Sequence, residues 1–402
     1  MGTPREKHGR RATIRDIAER AGVSKGAVSY ALNDRPGVSD ETRERILAIA
    51  DELGWYPNRA ARALSASRAD ACGLVLARPA STIALEPFFM EFIAGVEAQL
   101  SPRSIGLTLQ LVNSVEEEIG VYRRWFGEHR VDGVFVVDLR HDDPRVRALQ
   151  EMRLPAVVIG GPLPSEHSPA PRGDEAVAEA VRYLVGGPLP KGHLPAVWHD
   201  EAAAVVEAVR YLAALGHRRI ARVAGAAEFV HTQERTRAFH DATRELALLA
   251  EVVPTDYTPE SGTRATRRLL SSPEPPTAII FDSDLLAVTG LGVAQQMGFI
   301  VPDDLSLIGW DDSLISRVVH PPLTAITRDI GEYGMTAAAH LLAVIEGTTR
   351  DDVEVACGEL TPRGSTAPPR LAVSTPARKV QVRDTPGRVA VRSVRETRTE
   401  NA

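Results

Sequence analysis

The 402-residue chain has little cysteine: only Cys72 and Cys357. Two thiols with neither a CxxC pair nor a Cys/His cluster exclude a disulfide framework or a zinc site as the basis of the fold. Aromatic residues make up 5%, so alanine, valine and leucine must fill most of the interior. No apolar run approaches the roughly 20 residues that span a bilayer. The polar, basic N-terminus has no apolar signal core behind it. A cytoplasmic protein with no membrane partner is expected. Catalytic signatures are missing as well: there is no GxSxG, HExxH or P-loop pattern, and the histidines are scattered. These absences argue against an enzyme and call for no cofactor and no metal.

Hydrophobic residues reach 44%, ordinary for a globular protein, and the length suits two or three domains. Charge is unevenly spread. Residues 1–69 hold 13 Lys and Arg against 9 Asp and Glu, a balance of +4 in a chain of net −6, so the remainder carries −10. A basic head on an acidic body suits a DNA-binding module joined to something else, although on charge alone a solvated surface is the commoner explanation.

The head carries the strongest local pattern. Residues 13–33, TIRDIAERAGVSKGAVSYALN, read as two short helices joined by a tight turn. Thr13 caps the first, with Asp16 completing a capping-box pattern. Ile17, Ala18 and Ala21 form its apolar face, and Gly22 ends it. Ser24 caps the second helix, with Val28 and Leu32 inward and Lys25, Gly26, Ser29 and Tyr30 outward. This is a helix-turn-helix layout, whose outward residues meet base edges. Asp34-Arg35-Pro36-Gly37 is a turn. Ser39 then caps a third helix over about 40–53, stopped by Gly54. After Pro57, Asn58 can cap two further turns ending near Leu64. A helix so short needs support to form, so it reads as a hinge, or else as an ordinary linker.

The order TIRDIAERAGVSKGAVSYALN, RPGVSDETRERI and LGWYPNRAARAL resembles the head of the LacI (lactose repressor)/GalR-type family of bacterial transcriptional regulators. The resemblance implies that Thr13, Ser24, Asn33, Ser39 and Thr42 touch phosphates or cap helices. It places Ile14, Lys25, Gly26, Ala27 and Tyr30 on or near base edges. It puts Asn58, Ala61 and Leu64 on a hinge helix whose leucine wedges into the minor groove, bending the duplex. Many relatives carry larger residues where this chain has Lys25 and Gly26. Gly26 has no side chain to read a base, so Lys25 and Tyr30 must carry more of the readout, or the close approach of the helix does.

From Cys72 onward, short apolar runs alternate with helical stretches. Strands are expected at 73–77, 107–112, 134–137 and 155–159, then at 220–224, 251–253, 278–281 and 306–310. Helices are expected at 88–100 and 115–129. Such alternation predicts an α/β fold of parallel sheets, and two series predict two lobes with a cleft between them. Leu215-Gly216-His217-Arg218-Arg219-Ile220, the run 303–312 and Pro321-Pro322-Leu323-Thr324 extend the resemblance. In that family this region resembles periplasmic sugar-binding proteins that hold a small molecule between the lobes. A periplasmic carrier would have no such head, and a sugar-modifying enzyme would need the missing catalytic set.

Ligands of open α/β sheets lie at the carboxyl ends of strands, where Asp284 follows the 278–281 strand. A carboxylate there can accept two hydroxyls, Arg235 offers a fork of donors, and Phe89 and Tyr257 offer flat faces. All four match effector-contacting positions of the family. Taken alone, Asp284 equally fits a helix cap, Arg235 a surface ion pair and Phe89 the core. Where the family often has an acidic residue after the Ile159 strand, this chain has Gly160.

The segment from Gly160 holds a tandem duplication, with the duplicated insert near 160–199. Gly160-Gly161-Pro162-Leu163-Pro164 recurs as Gly186-Gly187-Pro188-Leu189-Pro190, and Ala180-Val181-Arg182-Tyr183-Leu184 recurs as Ala208-Val209-Arg210-Tyr211-Leu212. One copy is surplus to the family pattern and is read as a surface excursion with an extra helix near 174–185. The expected organisation is a flexible arm (1–11), a three-helix head (12–56), a hinge helix (57–68), a two-lobed periplasmic-binding-protein-like domain (69–366) and a disordered tail (367–402). The function expected is a sequence-specific regulator, a repressor, binding double-stranded operator DNA as a homodimer under control of a small-molecule, sugar effector.

Overall fold

The computed structural model describes residues 12–55, 68–161 and 194–370. Asn58, Ala61 and Leu64, most of the duplicated insert, its expected extra helix, and the tail from 371 lie outside the described residues.

The head holds α1 (Ile14–Ala21), α2 (Lys25–Leu32) and α3 (Asp40–Glu52). Each begins at a side-chain cap. The hydroxyls of Thr13, Ser24 and Ser39 accept the amides of Asp16, Ala27 and Thr42. Asp16 returns a carboxylate to the Thr13 amide at 2.7 Å, completing the capping box. Gly22 takes φ 66° to end α1 and turn the chain into α2, a conformation open to glycine at little cost. Ile17, Val28 and Ile46, fully buried, centre one small core. Leu32, expected inward with Val28, is only half-buried, and Ala31 lies closer to the core.

The rest of the described chain forms two lobes. The first sheet contains β1 (Ala71–Leu76), β2 (Gly106–Leu111), β3 (Gly133–Val136), β4 (Ala156–Ile159), β5 (Ala196–Trp198) and β11 (Val353–Glu354). The second contains β6 (Arg219–Ala224), β7 (Leu249–Pro254), β8 (Ala278–Phe281), β9 (Ser306–Asp311), β10 (Thr324–Thr327) and β12 (Glu359–Thr361). Strand orders are β11-β5-β4-β3-β1-β2 and β12-β10-β9-β8-β6-β7. Every pairing is parallel except β10 with β12. The chain crosses between the lobes after β5, after β10 and after β11, so three strands join them.

Helices cover both faces of each sheet: α4 (Ala80–Leu85), α5 (Pro87–Leu100), α6 (Val115–Gly127), α7 (Pro144–Met152) and α13 (Ile330–Ile345) in the first lobe, and α8 (Glu201–Leu215), α9 (Val230–Glu245), α10 (Pro259–Leu270), α11 (Asp284–Gln296) and α12 (Leu314–Val318) in the second. This is why the strands read as continuous apolar runs. On β1, Cys72, Leu74 and Leu76 face the core under α5 and α13, and Val75 faces the opposite core with Trp125 and Leu149. On β8, Ile279 and Phe281 face one core and Ala278 and Ile280 the other. Helices α5 and α13 approach closely at glycines: a Cβ on Gly95 would lie 2.0 Å from the Gly331 carbonyl oxygen. The eight expected strands all form, with ends shifted by no more than two residues. Four short strands, β5, β10, β11 and β12, were not expected. Among the described residues no helix is long and apolar enough to cross a membrane, and no group of His, Cys, Asp and Glu could hold a metal ion.

Candidate functional sites in the head and the cleft

In the head, α2 presents Lys25, Gly26 and Tyr30 to solvent, with Ile14 of α1 also exposed and Ala27 half-buried. The caps Thr13, Ser24 and Ser39 are exposed at the N-terminal ends of their helices, where free amides and the helix dipole favour anions. Thr42 is half-buried, and its hydroxyl accepts from the Ser39 hydroxyl at 2.9 Å. Asn33 closes α2, its amide donating to the Ser29 carbonyl at 2.8 Å. Sequence reasoning missed Arg43. Its guanidinium donates to the carbonyls of Ala31 (3.2 Å) and Arg35 (2.9 Å) and pairs with Asp34 at 2.9 Å, so α3 holds the C-terminal end of α2.

Between the lobes lies a cleft, concave and lined by charged and aromatic side chains from both of them. The first lobe contributes Arg78, Glu86, Phe88, Phe89 and Asp138, the second His231, Arg235, Tyr257, Asp282 and Asp311, and the crossovers bring Glu201, Arg328 and Tyr333. Arg78 grips Asp138 through two bonds of 2.6 and 2.5 Å. Its guanidinium lies 5.3 Å from the Phe89 ring centroid, 5.1 Å from that of Phe229 and 4.7 Å from that of Tyr257. This first-lobe cation therefore rests on aromatic faces of both lobes. Arg235 bonds to Glu201 and lies 4.1 Å over the Trp310 ring. Arg328 bonds to Glu201 at 2.9 Å and also to Asp311. Behind Arg235, the fully buried Arg222 pairs with Asp282 at 2.7 and 2.5 Å, and Asp282 also accepts the Gly225 amide at 2.9 Å.

The charges follow from these contacts. Burial opposes ionisation of Glu201, but Arg235 and Arg328 outweigh it and hold the carboxyl far below its ordinary range. Burial lowers His231 to about 4, helped by Arg235, so this ring is neutral. It shares a 3.0 Å hydrogen bond with the Tyr257 hydroxyl. Asp138, Tyr257 and Asp311 all line the cleft with left-handed backbone, at φ 53°, 65° and 85°. Such conformations are costly for residues with a Cβ and gather at functional sites.

Of the four effector positions expected from the sequence, the cleft brings together Phe89, Arg235 and Tyr257. Asp284 is not among its lining residues. It is the first residue of α11 and 1% exposed. Its carboxylate accepts the Trp310 amide at 3.0 Å, the Ser313 amide at 2.6 Å and the Ser313 hydroxyl at 2.7 Å. It thus anchors the end of β9, and the carboxylate facing the cleft is Asp282, two residues earlier. Nor is Asp284 the cap: Ser283 caps α11 through the Leu286 amide. Sequence reasoning also missed Arg78, Glu86, Asp138, Asp311 and Arg328. Arg78, Asp138, Asp311 and Arg328 stand at or within two residues of a strand's carboxyl end, the one signal the sequence held for them.

A helix-turn-helix head joined to two lobes that enclose a charged, aromatic cleft defines a ligand-responsive DNA-binding regulator. Known proteins agree. Residues 13–58 match the bacterial regulatory proteins, lacI family, and residues 209–366 match the periplasmic binding protein-like domain. The chain is 32% identical over 353 residues to the HTH-type transcriptional regulator CelR of Thermobifida fusca, covering 86% of this chain and 95% of the relative. It is 31% identical to the regulator AglR of Rhizobium meliloti, over 91% of this chain and 98% of that one. Among solved structures it resembles a transcriptional regulator CelR–cellobiose complex, at TM-score 0.61 and 30% identity over 88% of this chain and 100% of the other. The lac repressor dimer bound to operator shares the fold, at TM-score 0.74 and 23% identity over 89% of this chain and 100% of that chain. The chain belongs to the LacI family of bacterial transcriptional regulators. It is a DNA-binding regulator with a C-terminal effector-binding domain, not an enzyme.

Proposed function

We propose that this regulator is a homodimeric repressor released from, or retained on, its operator by a sugar bound in the inter-lobe cleft. The observation that carries the reading is the meeting of Phe89 of the first lobe with Tyr257 and Arg235 of the second across that cleft. Flat rings suit the apolar face of a pyranose, and a guanidinium fork suits its hydroxyls. A ligand touching both lobes changes how they sit, and three crossovers pass that change along the chain. In the head, Lys25 and Tyr30 read bases beside Gly26 and Ala27, and Ile14 lies close to them. Thr13, Ser24, Asn33, Ser39 and Thr42 fix the head on phosphates. Asn58, Ala61 and Leu64 form the hinge that enters the minor groove. Edge strands β2 and β7 expose Leu109, Leu111 and Leu249 at 46%, 40% and 64%, which supports pairing of two copies there.

Operator binding by the full chain, followed by gel shift on palindromes near its coding region with and without cellobiose, maltose and related disaccharides, tests the reading. One sugar is expected to change operator affinity by roughly 5- to 150-fold, the usual span of allosteric coupling. If no sugar binds the protein or shifts its operator affinity, the sugar reading is wrong.

A further inference from the structure

Glu86 stands between α4 and α5 at the first-lobe wall of the cleft. It is 5% exposed, and its Oε2 has no hydrogen-bond partner. A buried polar atom left unpaired costs free energy, so an explanation is needed. Helix capping does not supply one: Glu86 is the N-cap residue of α5, yet its side chain makes no capping hydrogen bond. An ion pair does not supply one either. The arginines that line the cleft already hold other carboxylates: Arg78 holds Asp138, Arg235 holds Glu201, and Arg328 holds Glu201 and Asp311.

We propose that Glu86 is a specificity-determining contact for the effector, and that its Oε2 takes a hydroxyl of an uncharged, polyhydroxylated ligand. This rests on the sugar reading above and narrows it. A phosphorylated or carboxylated sugar would find no free cation among the described lining residues, and it would meet Glu86 directly. A cationic sugar would lie near the Arg78 guanidinium, whose charge Glu86 already feels. A hydroxyl fits because it both donates and accepts. Burial and the nearby Asp311 push the Glu86 carboxyl up to about 7, so both of its protonation states are populated near neutrality. A hydroxyl can answer either state. Ser283 of the second lobe also lines the cleft and opposes the upward shift of the Glu86 carboxyl, so a ligand hydroxyl between the two would bridge the lobes.

Calorimetric titration of the full chain with cellobiose, maltose, glucose 6-phosphate and glucosamine tests the inference. The wild type is expected to bind a neutral disaccharide at least about tenfold more tightly than either charged sugar. Glu86→Leu should weaken that disaccharide by about tenfold or more, because a buried hydroxyl then loses its partner, while Glu86→Gln should stay within about threefold. A cooperative thermal melt checks the fold of each variant, and Glu86→Ala replaces the leucine variant if that one does not fold. Wild-type affinity in Glu86→Leu or Glu86→Ala overturns the contact. Tighter binding of glucose 6-phosphate or glucosamine overturns the uncharged class. If no sugar binds the wild type, the sugar reading itself fails and this inference falls with it, an outcome distinct from the other two.

Discussion

Glu201 holds the Arg235 guanidinium on one carboxylate oxygen, and its other oxygen takes Arg328 Nη1 at 2.9 Å. One carboxylate at the start of α8 therefore serves two buried cations, one on α9 and one on the crossover after β10. Replacing it with Gln leaves Arg328 with Asp311 alone and Arg235 with Asp282 at 3.9 Å, on two guanidiniums that are each 5% exposed. Breaking a buried pair in this way costs about 3–5 kcal/mol. Urea denaturation at pH 7 is expected to show a loss of that order for Glu201→Gln. Because the folded carboxyl is held far below its ordinary range, its stabilising effect is complete at neutral pH. It is lost only as pH falls below the ordinary glutamate pKa towards the folded one. The gap between variant and wild type should therefore narrow only in strong acid. A variant as stable as wild type at pH 7 would show that Asp282 and Asp311 suffice to hold Arg235 and Arg328.

Glu86 makes the opposite contribution. Its folded carboxyl titrates at about 7 against an ordinary 4.5, raised by burial and by Asp311 and Asp138, with Arg78 and Ser283 opposing. Between those two values the folded chain keeps a proton that the unfolded chain has lost. Stability must therefore fall as pH rises through this window, with the penalty complete above the folded pKa. Glu86→Gln removes that penalty. The variant should be more stable than wild type at pH 8, by on the order of 1–3 kcal/mol, and equal to it near pH 4.5. Asp284, raised to about 8, and Glu234, raised to about 7, add slopes of the same sign. The comparison is therefore between variant and wild type at each pH, by thermal melts. A pH-independent difference would place the Glu86 pKa in its ordinary range.

The parts legible in the sequence are those set by local rules. The head could be read because Thr13, Ser24 and Ser39 act within three residues of themselves. The major strands could be read because helices bury both faces of each sheet. Strand β5 escaped notice because it is three residues long and lies inside a repeated segment. The cleft was harder. The strand-end rule led to the loop after Phe281 but selected Asp284. Its use as an anchor depends on Trp310 and Ser313, 26 and 29 residues further on. Arg235 was chosen for its donors, yet its partner Glu201 lies 34 residues before it. Glu86 gave no signal at all, since its distinguishing property is a missing partner in three dimensions.

Lys25 and Gly26 share the first turn of α2, and both are exposed. With no side chain at Gly26, the long exposed side chains of α2 are Lys25 in its first turn and Tyr30 in its last. Lys25→Ala should change which operator bases are preferred, by roughly 1–3 kcal/mol at the affected position. Binding to a library of operator variants at fixed salt measures this. A uniform loss across all sequences, with a shallower salt dependence, would instead make Lys25 a phosphate contact.

The duplication offers a test of which copy the fold uses. Strand β4 ends at Ile159, and its neighbour β5 starts at Ala196, pairing Val158 with Ala196 and Ile159 with Val197. Helix α8 follows, with Asp200 as its cap and Ala208, Val209 and Leu212 in the second-lobe core. The residues of β5 and α8 named here all belong to the second copy, as does Glu201. The sheet and the helix are thus complete with the second copy alone. Deleting residues 161–186 joins Gly160 directly to Gly187 and restores a single Gly-Gly-Pro-Leu-Pro run. Shortening a connection of this kind changes loop-closure entropy by only about 1 kcal/mol. The deletion variant should be soluble, should melt cooperatively within a few degrees of wild type, and should keep its operator affinity. Insoluble expression, or a loss of operator binding in a folded variant, would show that the first copy has become integral to the protein.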